Sequence, residues 1–356
     1  MKNERVLMSG NEAIGEAALR AGCRFYAGYP ITPQNELIGY MAEHIPKRGG
    51  VFIQAESELA AINMVFGAAA VGALAMTSSS SPGISLKQEG ISYLAGAELP
   101  AVIVNIMRGG PGLGNIAPAQ SDYFQATRGG GHGDYRCIVL APSCVQEAYD
   151  FTQLGFDLAD RYRNPVIILG DGMLGQMMEP VVLESPSPSL RDKTKKPWAL
   201  TGCAGRSANI VRSFYLKEGE LEKANLRLQK KYSLIKSKEV RYSQEYVDDA
   251  RLIIVSYGSM ARIARQVVMR LRHQGKRVGL FRPITLWPFP EERIKMLALK
   301  KMAPCFLVVE MSYGQLVEDV RLAVNGRAKV FFLGRGGGGI PSEKEILQTI
   351  QRIIRL

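Results

Sequence analysis

Two open α/β sheets, the first doubly wound and parallel and the second smaller, are the architecture that this sequence predicts. Three observations carry the expectation. Short apolar segments alternate with helical ones along most of the 356 residues, the rhythm of a parallel sheet with crossover helices. Hydroxyl, acid and guanidinium residues fall just beyond the expected strand ends, where ligands of such sheets collect. Composition then breaks at Glu184–Ser189, whose closely spaced prolines and serines oppose regular structure, and a second alternating region follows from near Asp249.

In the first region strands are expected at Arg24–Gly28, Gly50–Gln54, Ala73–Thr77, Ala101–Met107, Cys137–Ala141 and Pro165–Leu169. Between them, Asn11–Ala21 reads as a helix that opens after a Ser-Gly-Asn cap and stops at Gly22. Ser57–Val71 reads as a second, with Ser57 as its cap and a long apolar face. Lys193–Lys196 extends the exposed break, and Glu218–Lys236 suits a charged packing helix with Leu221, Leu228 and Ile235 on one side. In the second region the expected strands are Leu252–Tyr257, Arg277–Phe281, Cys305–Glu310 and Ala328–Leu333. The resulting division is a first domain over 1–183, a linker with its helix over 184–248, and a second domain over 249–356.

Bulk properties exclude several classes. A hydrophobic share of 46% with 22% charged residues fits a globular chain. The longest nearly unbroken apolar run, Val65–Met76, falls short of the roughly 18 to 20 residues of a membrane span, and the amino terminus lacks a signal-peptide core. A cytoplasmic protein is expected, with no membrane contact. The net charge of +12 is spread along the chain without a nucleic-acid motif, so no nucleic acid is expected; a basic surface suits acidic partners. Cys23, Cys137, Cys144, Cys203 and Cys305 are scattered without a C-x-x-C pair. Neither an iron–sulfur cluster nor a structural disulfide is therefore expected on this chain.

The chemistry-bearing candidates follow the strand ends. Glu58 opens a helix that continues Leu-Ala-Ala-Ile-Asn-Met-Val-Phe-Gly, which offers an acid little compensating charge. The residues alone allow either an acid for proton transfer or a first-turn carboxylate stabilised by the helix dipole. Arg108 leaves an apolar strand into Gly-Gly-Pro-Gly-Leu-Gly, where it suits a bidentate carboxylate clamp or an edge salt bridge. Thr32 stands between two prolines, as a pre-set hydroxyl or a turn stabiliser. Thr77–Ser81 before Pro82-Gly83 offers hydroxyls at a helix start, although no G-K-S/T follows to make a P-loop. Gly109–Gly114 and Gly129–Gly133 read as turns, with His132 an unassigned polar group, and Lys87 reads as an exposed helix residue.

Gly28-Tyr29-Pro30-Ile31-Thr32-Pro33, Gln54-Ala55-Glu56-Ser57-Glu58 and Met107-Arg108-Gly109-Gly110-Pro111 together resemble the alpha-type subunit of 2-oxoacid:ferredoxin oxidoreductases. The match is densest from about Ser9 to Met178 and resumes from about Asp249 to Pro341, where the segments after Arg282 and Glu310 resemble the family's transketolase C-terminal-like domain. It implies a thiamine-diphosphate-binding (pyrimidine-type) doubly wound parallel sheet followed by that smaller α/β domain. The resemblance implies Glu58 as the catalytic and cofactor-binding acid, and Thr32 and Arg108 as substrate-binding residues. Asp171-Gly172 matches only the D-G of a thiamine diphosphate–magnesium motif, so the diphosphate, Mg2+ and iron–sulfur clusters are expected on partner subunits, with coenzyme A as cosubstrate. The implied partners are a beta-type thiamine-diphosphate-binding subunit, gamma and ferredoxin-like subunits, and ferredoxin. The segments from Gln54 and from Thr77 are most similar to the 2-oxoisovalerate branch. The alternatives are a 2-oxoglutarate or pyruvate enzyme, for whose former substrate Lys87 is a conceivable second clamp, a lipoamide-linked thiamine-dependent dehydrogenase subunit, and a non-enzymatic protein of like fold.

Overall fold

A computed structural model describes residues 5–183, 196–300 and 304–355. The composition break at Glu184–Ser189 and the start of the Lys193–Lys196 run lie outside the described residues. The strands, in chain order, are β1 (Arg5–Ser9), β2 (Phe25–Gly28), β3 (Val51–Gln54), β4 (Ala75–Ser79), β5 (Ala101–Met107), β6 (Ile138–Leu140), β7 (Pro165–Asp171), β8 (Met178–Val182), β9 (Tyr242–Glu245), β10 (Leu252–Val255), β11 (Val278–Pro283), β12 (Thr285–Trp287), β13 (Cys305–Glu310) and β14 (Val330–Gly334).

The larger sheet has seven strands in the order β12-β6-β7-β5-β4-β2-β3. All its neighbours are parallel except β12, which runs antiparallel to β6. The central strands β5 and β7 are buried along their whole length, as a sheet covered on both faces requires. Helices fill the crossovers. The first four are α1 (Gly10–Ala21), α2 (Asn35–His44), α3 (Glu58–Ala70) and α4 (Ser81–Gly96). The start of α1 is held by Ser9 and Glu12 as a reciprocal capping box, and Gly22 ends it with φ of 95°, a left-handed conformation that glycine adopts freely.

The smaller sheet has the order β14-β13-β10-β11-β9, parallel except for β9, while β1 and β8 pair separately as an antiparallel ribbon. The two parallel sheets are the predicted α/β architecture. What the alternation did not reveal is β12: a three-strand-residue stretch from the second region crosses back to edge the first sheet. The helix Glu220–Lys238 likewise buries Leu228, Tyr232 and Ile235 in the first sheet's core, and Tyr232 meets Trp287 of β12 edge to face.

Polar contacts also tie the two sheets together. Gln120 donates to the Tyr257 carbonyl at 2.9 Å and accepts from the Met311 amide at 3.0 Å. Arg282 forks onto Glu147 with contacts of 2.6 and 2.7 Å; burial works to raise the Glu147 carboxyl, but this guanidinium holds it below its usual range. The carboxylate of Glu310 is sealed at the start of helix Leu316–Val324, where it accepts the amides of Gln315, Leu316 and Val317. Among the described residues no helix is long and apolar enough to cross a membrane.

Candidate active site

The carboxyl ends of β2, β4 and β5 bring the candidate residues into one neighbourhood. Thr32 follows β2, the Ser79–Ser81 segment ends β4 and begins α4, and Arg108 follows β5. Glu58 is the first residue of α3, whose N-cap Ser57 accepts the Ala60 amide at 3.1 Å. Glu58 and Glu56 have opposite environments: Glu58 is 6% exposed, whereas Glu56 lies outside the helix in solvent.

The Glu58 side chain reaches across to α4. A Cβ built on Gly83 would lie 2.5 Å from Glu58 Oε1 and 2.0 Å from Ser79 Oγ, so a side chain there collides with both. Ser79 Oγ and Ser80 Oγ are buried without a hydrogen-bond partner among the described residues. Such orphaned hydroxyls are uncommon in a folded interior. Carboxylate, serine hydroxyls and bare glycine backbone therefore share one small polar recess in an otherwise apolar wall.

Arg108 is buried, and its guanidinium is already held: Nη1 donates to the Thr32 carbonyl at 2.9 Å and Nη2 to the Leu113 carbonyl at 3.0 Å. Its Nε is buried without a partner among the described residues. Two of the five guanidinium N–H donors are thus used for position, which leaves three for an anion. The Thr32 hydroxyl accepts from Asn35 Nδ2 at 3.2 Å, and its own proton remains free to donate. The structure brings Thr32 and Arg108 into direct contact and sets the β4–α4 corner between them and Glu58. The Arg108 amide donates to Ser81 Oγ at 3.1 Å, two residues beyond Ser79.

Ser81 leads to an acid that sequence reasoning missed. Ser81 Oγ donates to Asp122 Oδ2 at 2.6 Å, which also accepts from Asn105 Nδ2 at 2.9 Å. Burial pushes the Asp122 carboxyl up, against the pull of both donors. Ser81 and Asp122 line a cleft of about 480 Å³ whose other wall is Tyr313, Gly314 and Gly336 of the second domain. Nothing in the local sequence Gln-Ser-Asp-Tyr marks Asp122 out; its role depends on β5 and α4 meeting there.

Lys87 overturns an expectation. Read from the sequence as an exposed helix residue, it is wholly buried in the middle of α4, and its Nζ donates to Thr77 Oγ1 at 2.7 Å. Across the α3–α4 packing, the charge of Glu58 favours the ammonium form of Lys87. A signal was present: Ile84, Lys87, Gln88, Ile91 and Leu94 fall on one helical stripe, and all are buried. Lys87 sits on the core face of its helix.

Asp171 caps the short helix Gly172–Gln176 by accepting the Met173 and Leu174 amides at 2.9 and 3.1 Å. Its other oxygen accepts from Ser259 of the second domain. His132 is exposed, and its backbone carbonyl accepts from Ser92. Among the described residues no cluster of three or more His, Cys, Asp or Glu is arranged to hold a metal ion.

Comparisons with known proteins identify the family. Residues 16–240 match the thiamine diphosphate-binding domain of pyruvate flavodoxin/ferredoxin oxidoreductases, and residues 250–346 match core domain II of pyruvate:ferredoxin oxidoreductase. The ketoisovalerate oxidoreductase subunit VorB of Methanothermobacter thermautotrophicus is 51% identical over 98% of this chain and 97% of its own. The 2-oxoglutarate synthase subunit KorA of Methanocaldococcus jannaschii is 36% identical over 96% and 98%. Among solved structures, 2-oxoglutarate:ferredoxin oxidoreductase from Magnetococcus marinus, with 2-oxoglutarate, coenzyme A and succinyl-CoA bound, superposes with a TM-score of 0.84 at 27% identity. That match covers 99% of this chain and 66% of the other. A split-gene transketolase, at TM-score 0.59 and 14% identity, shares the fold alone. The chain belongs to the pyruvate flavodoxin/ferredoxin oxidoreductase family, as an alpha-type subunit of the thiamine diphosphate-dependent 2-oxoacid:ferredoxin oxidoreductases.

Proposed function

We propose that this chain supplies the acid and the substrate clamp of a 2-oxoacid:ferredoxin oxidoreductase acting on a branched-chain 2-oxo acid, with 2-oxoisovalerate as preferred substrate. The observation that carries the substrate is the 51% identity, over nearly the full length of both chains, to a subunit named for ketoisovalerate. In the reaction the bond between the oxo carbon and its carboxylate breaks and carbon dioxide leaves. The oxo carbon then bonds the sulfur of coenzyme A, and two electrons pass to ferredoxin.

The recess at Glu58 fits a cofactor ring. It presents a buried carboxylate, two partnerless serine hydroxyls and a glycine whose missing Cβ leaves the flank of the carboxylate open. When bound, thiamine diphosphate supplies the nucleophilic carbon for decarboxylation. Glu58 would hold the aminopyrimidine part and exchange a proton at its carboxyl oxygens, with Ser79 and Ser80 as neighbouring donors. Arg108, fixed in advance by two carbonyls, would take the 2-oxo acid carboxylate, and the Thr32 hydroxyl would donate to its oxo or carboxylate oxygen. Pre-set donors lose little freedom when the substrate arrives.

A branched-chain acid has an apolar tail and needs no second anion clamp, whereas 2-oxoglutarate must have its distal carboxylate matched. Lys87, the cation considered for that task, is buried against Thr77. A beta-type subunit would bring the diphosphate site and Mg2+, and gamma and ferredoxin-like subunits the iron–sulfur clusters. Leu59, exposed next to Glu58 on α3, and Leu86, exposed in the first turns of α4, support a partner covering this face. A cytoplasmic assembly is the setting we infer.

The test is reconstitution with the beta-type, gamma and ferredoxin-like subunits, followed by kcat/KM for 2-oxoisovalerate, 2-oxoglutarate and pyruvate with ferredoxin as acceptor. Highest efficiency on 2-oxoisovalerate is expected. A preference for 2-oxoglutarate would overturn the substrate, and transfer to lipoamide in place of ferredoxin would overturn the reaction class.

A further inference from the structure

Lys87 has no part in the chemistry described above, yet it is among the largest side chains that the fold seals completely. Residues Gly83, Lys87 and Gly90 recur at helical spacing and turn one face of α4 toward α3 and β4. Gly83 faces Glu58 Oε1 and Ser79 Oγ, while a Cβ at Gly90 would strike Ile62 of α3 at 2.5 Å. Lys87 lies between these two close approaches.

Among the described residues the recorded hydrogen-bond partner of Lys87 Nζ is Thr77 Oγ1, a neutral hydroxyl at 2.7 Å. One neutral partner does not offset the desolvation of an ammonium, which persists in an interior when an opposite charge faces it. On α3 the acid closest along this face is Glu58, which lies against Gly83 one turn from Lys87 and acts on it through space, not as a direct ion pair. From β4 comes the Thr77 hydroxyl, and the next acid on α4, Glu89, points to solvent. Burial pulls the ammonium down to about 7 against the opposing attraction of Glu58.

We propose that Lys87 is a positioning residue for Glu58: anchored on Thr77, one helical turn from the Gly83 that Glu58 lies against, it balances the charge of the Glu58 carboxylate through space beneath the recess where the cofactor ring docks. The inference rests on the reading of Glu58 as the cofactor acid. It adds a cation that acts through the acid rather than on the substrate. The charge beneath the recess then changes when the lysine gives up its proton. The rate of the assembled enzyme should then carry a limb near neutral pH that belongs to Lys87.

Two measurements test it. In the full-length chain without cofactor, the Lys87 side chain is followed by lysine-selective NMR against pH in the wild type, Glu58→Gln and Glu56→Gln. Loss of the facing carboxylate should lower the Lys87 midpoint by about one pH unit or more, and Glu56→Gln should leave it in place. Because Lys87 itself is unchanged, this result stands even if its own variants fold poorly. In the assembled enzyme, Lys87→Met should remove the near-neutral limb from the pH profile of kcat and weaken thiamine diphosphate binding, whereas a merely packed lysine would leave the shape of the profile alone. An unmoved Lys87 midpoint in Glu58→Gln, or an unchanged profile in Lys87→Met, overturns the proposal. If Glu58→Gln abolishes turnover while Lys87→Met changes nothing, only the positioning role falls. If Glu58→Gln turns over normally, the acid assignment falls with it.

Discussion

Replacing Lys87 by methionine should stabilise this protein, by an amount that depends on pH in a way set by burial. The folded ammonium is lowered from 10.5 to about 7, so the unfolded chain binds this proton more tightly than the folded one. Below about pH 7 both states carry the proton and the cost of burying the charge is felt in full. Between about pH 7 and 10.5 the folded chain has released its proton and the unfolded chain has not, so stability rises with pH; above 10.5 the cost is gone. A gap of about 3.5 pH units at roughly 1.4 kcal/mol each amounts to about 5 kcal/mol. Methionine has similar length and no charge, and it removes this term. It also leaves the Thr77 hydroxyl without its donor, at about 1 kcal/mol, whereas the lost attraction to Glu58 is already contained in the shift. The net expectation is a gain of about 4 kcal/mol at pH 6 that declines by about 1.4 kcal/mol per pH unit above about pH 7. Urea denaturation of the isolated full-length chain from pH 6 to 10, wild type against Lys87→Met, reads this directly. A difference that does not vary with pH, or a Lys87→Met chain less stable at pH 6, would refute the reasoning. Stability gained while the pH dependence of turnover is lost is the exchange expected where a strained charge serves function.

Arg108→Lys keeps a charge but loses the planar fork and its hold on Thr32 and Leu113; kcat/KM for the 2-oxo acid should fall by about 1 to 3 kcal/mol in transition-state terms with cofactor binding retained. An unchanged kcat/KM across several 2-oxo acids would make Arg108 structural. Gly83→Ala favours the helix by up to about 1 kcal/mol, but its Cβ must displace Ser79 Oγ or Glu58 Oε1; turnover should drop by on the order of a hundredfold with helix content intact by circular dichroism. Wild-type turnover would show that the Glu58 carboxyl tolerates displacement. The purified chain alone should be colourless and inactive until partner subunits are added, and stoichiometric iron and acid-labile sulfide bound to it would contradict the division of labour.

Much of this was legible in the sequence, because alternating apolar segments and glycine-bounded helices are local signals. The strand Cys305–Glu310 falls where alternation placed it, and Ser57 caps α3 as its residue type suggests. Edges shifted where a strand outlasts its apolar residues: β4 runs on past Thr77 through the buried Ser78 and Ser79, which read as loop. Placement of β12 depends on a partner strand some 145 positions earlier, Thr285 against Leu140, which no local pattern reports. In the site, Thr32, Glu58 and Arg108 stood out because each follows a strand end. Asp122 and Lys87 did not, since the importance of each comes from what packs against it. Lys87 is the instructive case: its residue type argued for solvent, but its position on the stripe through Ile84 and Ile91 argued for the core, and position prevailed.

The central claim, that Glu58 and not its neighbour is the acid this chain contributes, is tested most directly by turnover of the reconstituted enzyme carrying Glu58→Gln or Glu56→Gln. Glu58 is buried in the recess beside Gly83, whereas Glu56 is solvated. Loss of on the order of a hundredfold or more in kcat is expected for Glu58→Gln, with Glu56→Gln close to the wild type. Near-normal turnover for both variants in a fully assembled complex would contradict the account.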